Sequence, residues 1–245
     1  MLKRLGRFLN KILHPLGYSL THVHKIVPRS TEKNWIERLK IETIIDIGSN
    51  EGQFIIQCND IAPGRQYFAF EPIKSCYKQL LENTKNINVK AYNLGLSDQT
   101  GEVEINVSNN AESSSILQME DLHIESYPES HFVKKETISL AKLDDVLAAA
   151  VIKKNILIKM DVQGYEKNVI KGGEKTLADA SALLVESVFE PFYKDQWLFD
   201  DLYAYFNEKG FKFMGFTDQF NSPKTGIPLY ADSIFIKKEL VQSIL

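Results

Sequence analysis

Four acids stand where apolar runs end. Asp46 lies late in the run that opens "TIIDIGSNEGQFII", Glu71 follows "QYFAF", Asp161 follows "NILIKM" and Glu186 sits in "ALLVES". In an open α/β sheet, ligands bind beyond the carboxyl ends of the strands, so acids placed there face a ligand. Around Asp46 the spacing is Asp-x-Gly-x-Asn-x-Gly, with Gly48, Asn50 and Gly52. Gly48 lets the chain turn sharply, and Gly52 opens a helix with no Cβ in the way. A dinucleotide loop needs a glycine where Asn50 stands, so that backbone can approach a pyrophosphate. A nucleoside without a pyrophosphate has no such need, and S-adenosylmethionine fits this loop better than NAD. Backbone N–H groups can hold its carboxylate, and Asp46 can act on its ammonium directly or through water. Glu71, nineteen residues past Gly52, has the place and chemistry to hold two ribose hydroxyls. The adenine is then expected near the end of a third strand, over Leu94, Gly95, Leu96 and Ser97, with Asp98 either reaching its exocyclic amine or serving as a turn acid.

These residues require a scaffold of alternating strands and helices. Strand-like runs occur at 43–47, 66–70, 88–93, 155–160 and 182–187, and helical patterns at 52–60, 73–83, 143–151 and 165–177. Such alternation predicts βαβ units and a parallel sheet covered on both faces. The ending departs from it: after a helix at 197–209, "FKFMGF" and "DSIFIKK" read as two strands with no helix between them. They pair antiparallel through a long hairpin, which places one reversed strand near the edge of the sheet. Residues 31–40 read as a helix before the first strand. Residues 101–107 and 133–140 read as further strands. Between them, 108–132 is polar and poor in pattern, and reads as a loop inserted over the carboxyl edge, where such loops are mobile insertions or lids.

Composition sets bounds. With 245 residues, 44% hydrophobic and 25% charged, the chain is long enough for one large α/β domain with a short arm, here 1–40 before 41–245. A net charge of -3 argues against a nucleic-acid partner. Cys58 and Cys76 form no metal or disulfide spacing and read as buried thiols of a reducing compartment. The histidines, at 14, 22, 24, 123 and 131, match no metal motif. No apolar run is long enough to span a membrane, and the basic N-terminus lacks the core of a signal peptide, so a cytoplasmic location is expected. Within residues 1–16, Leu2, Leu5, Leu9, Ile12, Leu13 and Leu16 recur at helical spacing, with Lys3, Arg4, Arg7 and Lys11 mostly opposite. That helix either docks on the chain's own core or lies on an anionic membrane or a partner.

In order, "IIDIGSNEGQF", "FAFEP", "NLGLSD", "LIKMDVQGYEKNVIKGG" and "LLVESVFEPFY" closely resemble the FkbM-type methyltransferase family over roughly residues 40 to 237. The resemblance implies a Rossmann-like methyltransferase fold with seven strands, the last antiparallel, and O-methylation of a sugar or related hydroxyl. For such a reaction Asp161 is the favoured base or acceptor anchor, with Glu186 and Glu166 supporting it and Lys159 orienting one of these acids. Asp161 with Glu186 could instead hold Mg²⁺, a reading that is not favoured. Phe189, Phe192, Tyr193, Trp197 and Phe199 either pack a helix on the sheet or wall an acceptor ring. Two other classes remain open: a non-catalytic cofactor-binding scaffold in a glycan assembly, and an NAD-dependent oxidoreductase. The identity of the acceptor is not written in the sequence.

Overall fold

The computed structural model describes residues 34–109, 113–127 and 130–245. The amphipathic run at 1–16, with most of the N-terminal arm, lies outside the described residues, as do 31–33 of the helix expected before the first strand; its described part is α1, Asn34–Arg38.

The alternating pattern folds as a seven-stranded sheet. Its strands are β1 (Thr43–Ile47), β2 (Gln66–Phe70), β3 (Val89–Tyr92), β7 (Ile156–Met160), β8 (Ala180–Val188), β9 (Phe211–Asn221) and β10 (Pro228–Lys237). Across the sheet they run β3-β2-β1-β7-β8-β10-β9. The pairs from β3 to β8 are parallel, and β10 is antiparallel to both β8 and β9. The hairpin at the end of the chain thus supplies the reversed strand that the sequence requires.

The helices between strands are α2 (Gln53–Ile61), α3 (Lys74–Asn83), α5 (Leu143–Leu147), α6 (Glu166–Gly172), α7 (Glu174–Ala178) and α8 (Phe199–Glu208), and α9 (Val241–Ile244) follows the last strand. Ile45, Ile47, Phe68, Ile158, Met160, Leu183 and Val185 of the sheet pack with Leu143, Val169, Ile170, Leu202 and Phe206 of the helices in one core. Each such side chain contributes about 1.5–3 kcal/mol by leaving water. The alternate residues Ile44, Tyr67 and Leu157 are equally buried, so both faces are covered. Cys58 and Cys76 are buried free thiols. Among the described residues no helix is long and apolar enough to cross a membrane.

Three features differ from the sequence reading. A second sheet is present, in the order β4-β6-β5, made of β4 (Gly95–Leu96), β5 (Gly101–Ser108) and β6 (Phe132–Ala141). Its Ile105, Val107, Ile138 and Leu140 pack on Ile73 and Cys76 at the start of α3. The pattern expected as one helix over 165–177 breaks into α6 and α7 at Gly173. A Cβ on Gly172 would lie 1.8 Å from the Ser97 carbonyl oxygen, so the end of α6 sits against the chain after β4.

The third difference concerns the insertion. Within it, the described stretch 113–127 carries α4 (Asp121–Ser126), an antiparallel bridge from Asn106 to Ser115 and another from Met119 to Tyr193. Leu117, Met119, Leu122 and Tyr127 pack on Val188, Phe192, Tyr193 and Leu229. The contacts that order this stretch come from strands far along the chain, which local periodicity does not register.

Candidate active site

The turn from β1 to α2 explains its own composition. Gly48, Asn50 and Gly52 have φ of 77°, 47° and 87°, all left-handed. Asparagine is among the few non-glycine residues that take this conformation readily. A Cβ on Gly48 would sit 1.8 Å from the Asp161 carbonyl oxygen, so only glycine lets the β1 and β7 loops cross. Ser49, which the sequence reading passed over, fastens the turn to β2. Its hydroxyl donates to Asp46 O at 2.7 Å and accepts from Phe70 N at 3.1 Å, while Gly48 N and Ser49 N both donate to Phe70 O at 3.0 Å.

Glu71 is drawn into the same turn. One carboxylate oxygen accepts from Asn50 N at 2.9 Å and the other from Ile73 N at 2.8 Å. Burial pushes its pKa up to about 7, against the lowering effect of the two backbone donors. A carboxylate has about four acceptor positions, so two remain after these bonds. Nearby, Tyr92 stacks on Phe70 with ring centroids 4.9 Å apart. The Asn50 side-chain oxygen and the Tyr92 hydroxyl are buried without a hydrogen-bond partner among the described residues.

At the end of β4, Leu96 and Ser97 are buried. The Ser97 hydroxyl donates to Asp98 Oδ1 at 3.2 Å and lies 3.3 Å from the Tyr165 hydroxyl. Asn168 Nδ2 reaches the same Asp98 oxygen at 3.4 Å. The second sheet and α6 therefore bring Leu96, Ser97 and Asp98 together at one rim.

The remaining acids gather over β1, β7 and β8. Asp46 is fully buried, pairs in register with Lys159 and lies 3.9 Å from its ammonium. Lys159 also donates to Asp161 Oδ2 at 3.1 Å. Burial alone would lower the Lys159 pKa, but Asp161, Asp46 and Asp232 together hold it above its ordinary value, so it stays charged. Gln163 Nε2 donates to Asp161 Oδ1 and to Glu186 Oε2, each at 2.9 Å. Burial, then Asp161, Glu166 and Asp232, raise Glu186 well above the usual carboxylate range. Glu166 is buried, and its Oε1 accepts from Val162 N and Gly164 N at 3.3 Å, which closes the turn after β7; burial pushes its pKa up to about 7.

All three acids proposed for chemistry are thus brought to one place, with Asp161 at 34% side-chain exposure. A cation between Asp161 and Glu186 would have to displace the Gln163 amide. Among the described residues no group of three or more His, Cys, Asp or Glu side chains could hold a metal. Two residues of the cluster carried no signal in the sequence. Asp232 enters from the reversed strand, in register with Glu186. Gln163 lies beside Asp161 in the chain, but its type announces no chemistry. Of the five aromatic residues after β8, Phe192 and Tyr193 pack under the insertion. Phe189 and Phe199 pack with Phe216, and Trp197 lies against Tyr205.

A family model described as the methyltransferase FkbM domain matches residues 46–213. Among curated proteins, the 2-O-methyltransferase NoeI of Sinorhizobium fredii is 29% identical over 206 residues, covering 81% of this chain and 79% of that one. The hexuronic acid methyltransferase AglP of Haloferax volcanii is 27% identical over 150 residues, covering 59% and 55%. The methyltransferase sdnD of Sordaria araneosa is 28% identical over 173 residues, covering 60% and 66%.

Proposed function

Because the chain belongs to the FkbM methyltransferase family, whose members draw on S-adenosylmethionine, we propose that it transfers a methyl group to a hydroxyl of a sugar or glycan. Two relatives carry names that support an oxygen acceptor on a sugar-type molecule, a 2-O-methyltransferase and a hexuronic acid methyltransferase. The observation that carries the reading is the pairing of two sites across β1. Glu71, clamped by Asn50 N and Ile73 N, stands on one side, and the Asp161–Glu186 pair stands on the other.

Within this reading, Glu71 accepts the ribose hydroxyls, and Asp46, buried beneath the turn, acts on the ammonium of the amino-acid end through water. Gly48, Asn50 and Gly52 shape the turn around that end. Leu96, Ser97 and Asp98 border the adenine. When bound, S-adenosylmethionine supplies a methyl group on a cationic sulfur. Asp161, whose side chain is 34% exposed, accepts the proton of the acceptor hydroxyl, a contribution of about 10²–10⁴-fold for a positioned base. Lys159 stabilises Asp161 through the 3.1 Å contact. Glu186 stands beside it with its proton held more tightly than an ordinary carboxyl holds one. Glu166 keeps the turn closed. The segment 113–127 borders the acid pair through Ser115, which donates to the Gln163 carbonyl.

Isothermal calorimetry with S-adenosylhomocysteine and with NAD, followed by labelled-methyl uptake across neutral, amino and hexuronic sugars, tests the proposal. Binding of S-adenosylhomocysteine and uptake into a sugar support it. Binding of NAD in place of S-adenosylhomocysteine refutes it.

A further inference from the structure

We propose that Gln163 is a positioning residue: its side chain holds Asp161 and Glu186 in one arrangement and joins them to the segment 113–127. The inference rests on reading these two acids as the acceptor end of the site. Three of the four hydrogen-bonding positions of the side chain are spent inside the protein. The two amide hydrogens go to Asp161 Oδ1 and Glu186 Oε2 at 2.9 Å, and Oε1 accepts from the Tyr193 hydroxyl at 2.9 Å. Its backbone carbonyl accepts from Ser115 Oγ at 2.6 Å. A side chain so occupied orders its neighbours and has little left for a ligand. Its φ of 52° is left-handed, a costly conformation for a glutamine that persists where the surroundings over-determine it.

The other end of this chain of contacts lies in the insertion. Tyr193 is buried, and its hydroxyl lies 3.4 Å from His123 Nε2 on α4 and 3.4 Å from Ser113 O. Glu120 N donates to Phe192 O, and Lys194 N to Gln118 O. Segment 113–127 therefore touches Gln163 twice, through Ser115 directly and through Tyr193. The acid pair is assembled while the segment is seated; unseating it frees the Gln163 carbonyl from Ser115 and removes the contacts of Ser113 and His123 that place the Tyr193 hydroxyl on the Gln163 side-chain oxygen.

Two variants of the full chain test this. Gln163→Met keeps length and removes both donors and the acceptor; Tyr193→Phe removes one hydroxyl and keeps the ring. Hydrogen exchange at the Ser115 and Glu120 amides is expected to quicken in both by roughly tenfold, the scale of one lost hydrogen bond. The carboxyl-carbon resonance of Glu186 is expected to titrate at higher pH in Gln163→Met. A donor to its charged form is gone, while Asp161, Glu166, Asp232, Lys159, Tyr127, Tyr193 and Tyr230 still face it. S-adenosylhomocysteine affinity is expected to stay within about threefold, because the substituted groups lie at the acid pair. Wild-type exchange in Tyr193→Phe, or an unmoved Glu186 titration in Gln163→Met, overturns the proposal. Should Gln163→Met not fold, the exchange result in Tyr193→Phe decides alone. A wild-type chain that fails to bind S-adenosylhomocysteine refutes the functional reading instead, and the exchange comparison stands apart from it.

Discussion

Replacing Glu71 by Gln tests the cofactor half of the site most sharply. The carboxylate accepts Asn50 N at 2.9 Å and Ile73 N at 2.8 Å, and two acceptor positions are left for the ribose. A hydrogen bond to a charged acceptor is worth about 1.5–3 kcal/mol net. Glutamine retains one oxygen, so part of the loss is recovered, and about 2–4 kcal/mol of binding should disappear. At 1.4 kcal/mol per decade this is roughly 30- to 700-fold in the dissociation constant of S-adenosylhomocysteine. The pH dependence gives a second signature. The free protein holds the Glu71 proton up to about pH 7, and hydroxyl donors favour the charged form. Wild-type affinity should therefore rise as pH climbs towards 7 and level off above it. In Glu71→Gln that rise should vanish. Calorimetry at several pH values between 5.5 and 8 measures both effects. A variant affinity within about threefold of wild type, or a slope that survives the substitution, would refute the ribose assignment.

The other expectations concern the acid cluster and the packing beneath it. Asp161→Asn should lower kcat by about 10²–10⁴ with S-adenosylhomocysteine affinity unchanged, and near-normal turnover would show that another acid is the base. Gly172→Ala should lose about 1–3 kcal/mol of stability, read as a lower urea midpoint, because the new Cβ would fall 1.8 Å from Ser97 O. A midpoint equal to wild type would show that α6 can shift at no cost. Glu71 and Glu166 both have folded pKa values of about 7 against an ordinary 4.5, so the folded state binds more protons between those values. Their contribution to stability is therefore fullest below about pH 4.5 and declines as pH rises to about 7. The decline should be shallower in Glu166→Gln when urea midpoints are compared across that interval, and an identical pH profile would contradict the raised pKa.

Much of the architecture was legible along the chain. Solid apolar runs marked the parallel strands of the sheet, because a strand covered on both faces has no solvent side to advertise. The final pair without an intervening helix announced the reversed strand. The Gly48 and Gly52 spacing was legible because a sharp turn restricts residue type locally, whereas Asn50 was read only as an absent glycine; the structure places all three in the left-handed conformation. Glu71, Asp161 and Glu186 could be assigned to one edge, since a parallel sheet aligns the ends of its strands. What depends on tertiary structure is which of these groups touch. Asp232 meets Glu186 only because β10 inserts beside β8, and Lys159 reaches Asp46 only because β7 adjoins β1. The ordering of 113–127 comes from Tyr193, Phe192 and Leu229, whose partners lie far away in sequence. Periodicity encodes which face of an element meets solvent, and it carries no record of strand order. The acid cluster, its single lysine and the Gln163 bridge exist only once that order is set.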